Sequence, residues 1–142
     1  MIVNVEVEVA RPREQVFDLM ADARNETEWN SQVTRSDLIT GEPVEDGSEF
    51  ATTNRGNEYI GVIRTYDRPN RLDFEVVGKP LEISATFRFV DSEAGTRMSA
   101  TFDLKPQSYM KVLLPLISGA VKKDFPKQLG HFKEFCESQA GV

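Results

Sequence analysis

The chain has 142 residues, 39% hydrophobic and 28% charged, enough for one globular core. Its 17 basic and 23 acidic residues leave a net charge of -6. That argues against nucleic acid as a partner, since phosphate binding needs a basic face. The opening run MIVNVEVEVA holds Glu6 and Glu8 among its valines, so it reads neither as a signal peptide nor as a membrane span. Cys136 is the only cysteine. It forms no internal disulfide, points to a reducing compartment and hence a cytoplasmic protein, and reads as a small buried hydrophobe.

In chain order, Val3, Val5, Val7 and Val9 alternate with polar residues, the period of a half-buried strand. The period then changes. Pro12 suits a helix start, Glu14 falls in the first turn, and Val16, Phe17, Leu19 and Met20 share one face. The polar stretch DARNETEWN leaves room for one more helical turn and ends on Trp29, the only tryptophan. Strands follow: a polar edge strand over 33–40, then 48–54 after the Asp46-Gly47 turn, and 57–66 after Gly56. After the Pro-Asn turn, Leu72, Phe74 and Val76 alternate with Asp73 and Glu75. Ile83, Ala85, Phe87 and Phe89 form the next alternating set, and Met98, Ala100, Phe102 and Leu104 the last. Short strands joined by such turns predict sequential antiparallel hairpins.

The last third has helical spacing. Met110, Leu113, Leu114, Ile117, Val121, Phe125, Leu129, Phe132 and Phe135 recur at steps of three or four, with lysines on the other side. The pattern predicts a helix over 107–138, with kinks or breaks near Pro115 and Pro126. The order is strand, two short helices, six strands, long helix. It predicts one α+β domain over 1–142, a curved antiparallel sheet of six or seven strands covered by the C-terminal helix.

The chain resembles the START-type, birch-pollen-allergen-like helix-grip superfamily (SRPBCC), and within it the polyketide cyclase/dehydrase-like group. The resemblance rests on VNVEVEVARPREQVFDLMADARNETEWN with Asp22 and Trp29, on IRTYDRPNRLDFEV, on GTRMSATFDL and on DFPKQLGHFKEF. It implies a hydrophobic cavity between sheet and helix and a small, largely apolar ligand, lipid-, polyketide- or quinone-like. The expected lining is Phe74, Val76, Phe87, Met98 and Phe102 from the strands and Leu113, Ile117 and Val121 from the helix. Trp29 stands at the cavity or its mouth, or plugs the core. An alternative is a cyclase or dehydratase acting on a polyketide-like substrate; a second is a protein-interaction module of the same superfamily.

No catalytic signature is present. His131 is the only histidine, which rules out a histidine metal cluster, and no Cys-x-x-Cys spacing occurs. The helical phase turns His131 towards solvent. No metal or other cofactor is expected. Tyr59, Arg64 and Tyr66 are the only candidates for acid-base work, on a strand apolar on both faces. An inward Arg64 would need an acidic partner or an anionic ligand, whereas an outward one would pair across strands. Val112, Pro115 and Leu116 fall off the core stripe. They mark a portal, a dimer contact, a membrane-touching patch without stable insertion, or a face buried under a loop.

Overall fold

A computed structural model describes residues 1–140 of the chain. Seven strands form one antiparallel sheet: β1 (Ile2–Val9), β2 (Val33–Leu38), β3 (Glu49–Asn54), β4 (Asn57–Asp67), β5 (Arg71–Gly78), β6 (Leu81–Asp91) and β7 (Thr96–Pro106). Their spatial order is β1-β7-β6-β5-β4-β3-β2. Each strand from β2 onward pairs with the one that follows it, and β1 closes the far edge against β7. Between β1 and β2 lie helix α1 (Arg13–Ala21), a 3-10 turn (Ala23–Asn25) and helix α2 (Glu26–Trp29). The long helix α3 (Met110–Ser138) lies across the curved sheet.

Register puts the alternating apolar sets on one face. Val3, Val5 and Val7 stand opposite Phe102, Ala100 and Met98. These in turn face Ala85, Phe87 and Phe89, and Phe74 and Leu72 follow opposite Ala85 and Phe87. One continuous concave apolar face results, with a polar outer face.

The first helix begins one residue later than the sequence suggests. Pro12 is its N-cap, with its carbonyl accepting from the Val16 NH at 3.1 Å. Val16, Phe17, Met20 and Ala21 are buried against the sheet. Asp22 ends the helix and restarts the chain, since its carboxylate accepts from the Arg24 NH at 3.1 Å.

Helix α3 corrects the expectation of breaks at its prolines, because it runs as one element from Met110 to Ser138 through Pro115 and Pro126. Both prolines are exposed. The carbonyls they leave without an intrahelical partner belong to Lys111 and Lys122, also exposed, and water can satisfy them there.

Burial along α3 is uneven. In its C-terminal half Gln128, Leu129, Phe132 and Cys136 are buried. In its N-terminal half only Met110 and Leu114 are, while Val112 is 74% and Leu116 78% exposed. The far end is clasped to the corner after β1. The Ala10 NH donates to Glu137 Oε2 at 2.8 Å. The Arg11 guanidinium donates to the carbonyl of Glu137 and, at 3.0 Å, to that of Gln139, placing positive charge at the helix C-terminus.

This asymmetry has a measurable consequence. Phe132→Ala removes a fully buried ring and should cost about 3–5 kcal/mol, whereas Leu116→Ala should stay within about 0.5 kcal/mol. Denaturant unfolding of the two variants checks this, and comparable losses would contradict it.

Candidate functional site

The concave face of the sheet beneath α3 is the place to look for function. Its centre is a row of aromatic rings. Phe50 on β3, Phe74 on β5, Phe87 on β6, Phe102 on β7 and Phe125 on α3 meet edge to face, with centroid separations of 6.3, 6.4, 5.6 and 4.7 Å in turn. Such pairs add roughly 0.5–1.5 kcal/mol each beyond the area they bury. Three of the rings expected to line a cavity therefore touch one another. Two hollows, of about 630 and 250 Å³, lie on the outer face of the sheet: the first beside Glu8, Ser92 and Arg97, the second among Arg35, Glu58, Ile60 and Val77.

The concave face is not sealed everywhere. Val76, Ile83 and Phe102 from the sheet, and Ile117, Val121 and Phe125 from α3, pack on the core but remain half-buried. They mark the end of the grip beneath the N-terminal half of α3. Met98, also expected to line a cavity, is fully buried at the other end. Leu113 lies on the outward side of the helix, 38% exposed, and its neighbour Leu114, 4% exposed, takes the inward place. The helical phase accounts for this, since Leu114 continues the line of Met110, Ile117 and Val121.

Trp29 is 8% exposed and packs edge-on against Phe132 at 5.3 Å. It sits where α3 is fastened. Gln128 Oε1 accepts from the Ser31 NH at 3.0 Å, and Gln128 Nε2 donates to Ser31 Oγ at 2.9 Å and to Asp124 Oδ1 at 3.2 Å. Asp124 in turn pairs with Arg55 of the β3–β4 turn at 3.4 Å. His131, placed towards solvent by its helical phase, is half-buried instead, with Nδ1 3.2 Å from Gln128 Oε1. Cys136 is fully buried, and burial pushes its thiol up to about 12, with Glu137 adding to the effect.

Strand β4 resolves its two-faced pattern through a bulge. Pairing with β5 shifts between Ile63 and Thr65, leaving Arg64 as the extra residue. Before the bulge Tyr59, Gly61 and Ile63 face inward, opposite Gly78, Val76 and Phe74; after it Tyr66 does, opposite Leu72. Arg64 is exposed, so its own guanidinium calls for no anionic ligand.

The two tyrosines are not brought together, being seven residues and about 23 Å apart along the strand. Tyr66 packs edge-on against Phe17 at 5.1 Å, under α1. Tyr59 lies at the half-buried end. Its ring covers Gly78, where an added Cβ would overlap the ring and lie 2.8 Å from the Glu58 carbonyl oxygen. Burial raises its hydroxyl above the ordinary range, with Tyr109 at the start of α3 adding to this and Arg55 opposing it.

One chemically distinctive group was not anticipated. Glu26 opens α2, one turn before Trp29. Burial pushes its carboxyl up to about 7, opposed by a hydrogen bond with Asn30. A carboxyl half-protonated near neutrality can donate or accept a proton. In the sequence it looks like an ordinary helix N-terminal acid; the only available signal was its three-residue spacing from Trp29.

A curved antiparallel sheet gripping a long C-terminal helix, with two short helices after the first strand, is the helix-grip architecture. The model of the family described as polyketide cyclase / dehydrase and lipid transport matches residues 1–137, and the chain belongs to that family. No curated protein matches the sequence. Among solved structures it is similar to the Zhui aromatase/cyclase from Streptomyces sp. R1128, with TM-score 0.80, 14% identity, and coverage of 100% of this chain and 99% of that one. It is also similar to a START superfamily protein from Mycobacterium smegmatis, with TM-score 0.73, 17% identity and coverage of 96% and 94%. The structure of Ara h 8.0201 aligns with TM-score 0.72, 11% identity and coverage of 98% and 99%. At these identities the likeness shows the fold. Among the described residues no helix is long and apolar enough to cross a membrane.

Glu26 gives a prediction with a definite sign. Its carboxyl rises from an ordinary 4.5 to about 7 on folding. The folded state therefore holds this proton more tightly than the unfolded chain. Stability is undiminished below the ordinary carboxyl range and falls as pH rises towards about 7. Glu26→Gln removes that fall and should stabilise the protein by about 1–3 kcal/mol above neutrality, with little gain at acid pH. Denaturation midpoints across pH measure this; parallel curves for variant and parent would contradict it.

Proposed function

We propose that this protein binds a small, largely apolar molecule, lipid-, polyketide- or quinone-like, on the concave face of its sheet beneath the N-terminal half of α3. The observation that carries the reading is that apolar residues facing each other across this end stay half-buried: Val76, Ile83 and Phe102 on the sheet, Ile117 and Val121 on the helix. Elsewhere the same face is closed. Apolar surface left part-covered between two elements has a ready gain from a third apolar body. Room for one comes from lifting the lightly held helix half away from the Phe102–Phe125 contact. The lipid-transport part of the family description agrees with this reading. The single buried cysteine supports a cytoplasmic setting.

A second reading is cyclase or dehydratase chemistry, which the cyclase / dehydrase part of the family description supports. In that reading Tyr59, facing inward at the half-buried end, donates a hydrogen bond to substrate oxygen.

Titration with an apolar naphthalene probe dye tests the binding reading. Dye emission should rise on binding, and Ile117→Phe combined with Val76→Phe, which fills the space from both sides, should weaken affinity about tenfold or more. Binding unchanged by this double substitution would sink the proposed location.

A further inference from the structure

The outward face of the same helix half poses a separate problem. Tyr109 is 58%, Val112 74%, Leu113 38% and Leu116 78% exposed. Their spacing is i, i+3, i+4 and i+7, so they form one solvent-facing ridge over two turns. Of the dimer or portal patch expected at Val112, Pro115 and Leu116, Val112 and Leu116 belong to it, and Pro115 lies on the neighbouring flank. Ala120, Lys123 and Lys127, all exposed, continue the same line.

The charge around this ridge is the reverse of the chain's. Between residues 107 and 129 there are four lysines, Lys111, Lys122, Lys123 and Lys127, and one acid, Asp124, in a chain of net charge -6. The lysines are exposed, whereas Asp124 is part-buried and turned to Arg55 and Gln128. Lys79 adds another exposed cation near the helix start, because the Gln107 NH donates to the carbonyl of adjacent Pro80 at 2.8 Å.

We propose that this ridge docks the protein reversibly on an anionic lipid bilayer. Its aliphatic side chains enter the headgroup boundary, and Lys123 and Lys127, which continue the ridge line, meet the phosphates, while Lys111 and Lys122 on the helix flank and Lys79 beside the helix start add to the local positive field. A convex apolar ridge with a cationic border matches how amphipathic helices lie in an interface, reaching about 5–10 Å in. A second copy of the chain fits less well. Packing α3 antiparallel against itself across the ridge would leave Lys123 and Lys127 of each copy without an acidic partner, since the ridge line carries no acid between residues 109 and 127. The docking goes beyond the interior binding reading and does not depend on it, since it uses only the outward face of the helix.

The test is co-sedimentation of the intact protein with phosphatidylcholine vesicles carrying about a third phosphatidylglycerol, and with phosphatidylcholine alone. The protein should sediment with the anionic vesicles, stay in solution with the neutral ones, and be released by salt that shortens the Debye length. Leu116→Glu should abolish sedimentation, and Lys123→Glu with Lys127→Glu should weaken it at least several-fold. Both variants alter exposed side chains, and circular dichroism and sedimentation velocity confirm their folding and oligomeric state. Absence of the parent from the anionic pellet, equal binding to neutral vesicles, or binding indifferent to both variants would each overturn the proposal. So would a parent dimer that Leu116→Glu dissociates, which would assign the ridge to a second copy.

Discussion

The structure depends on how one long helix is fastened over a curved sheet. Helix α3 spans 29 residues and is held by polar contacts at two places, both in its C-terminal half. At the far end, Arg11 and the Ala10 NH take up its terminal carbonyls and Glu137. In the middle, Gln128 bonds Ser31 and Asp124, and Asp124 reaches Arg55. Gln128 is 4% exposed, so its amide has little access to water. Removing one of its partners would leave a buried polar group unmet, at a cost of about 1–3 kcal/mol. Between the two fastenings Phe132 fills the core, with Trp29 against it. Folding and fastening are therefore one event in this half.

The other half follows from the absence of such fastenings among the described residues. From Met110 to Phe125 the helix is apolar on its inner line and again on its outer ridge; on the inner line Met110 and Leu114 are buried, and Phe125 meets Phe102 edge-on. A helix segment with few buried contacts opens at lower free energy than one packed into a core. Outside, the ridge is the surface proposed to meet a bilayer. Inside, the part-covered concave face is the place proposed for an apolar guest. One segment facing both ways can couple a surface to an interior, with Tyr59 and Tyr109 at the shared edge.

Much of the fold was legible because alternation and helical spacing are local. The valines of β1 and the sets headed by Leu72, Ile83 and Met98 give their own faces away, and register then aligns them. The extent of strand β4 was legible, but its facing was not. Its bulge at Arg64 changes phase midway, so Tyr59 and Tyr66 face inward despite an odd separation of seven. Two adjacent leucines, Leu113 and Leu114, both fit a stripe drawn with steps of three or four, and only packing selects the second. The prolines mislead for a related reason, since a lost donor matters only where water cannot replace it. Gln128 was hidden because its partner Ser31 is far away in sequence, and Glu26 because burial is not a local pattern. The half-buried end of the concave face depends on where α3 stops being held, which no periodicity encodes.

The division of α3 into a fastened half and a loose half can be read directly by amide hydrogen exchange on the protein without ligand. Amides between Leu113 and Val121 should exchange at least tenfold faster than those between Leu129 and Cys136, whose protection should approach that of global unfolding. Uniform protection along the whole helix would contradict it, because no loose segment would then remain to admit a guest.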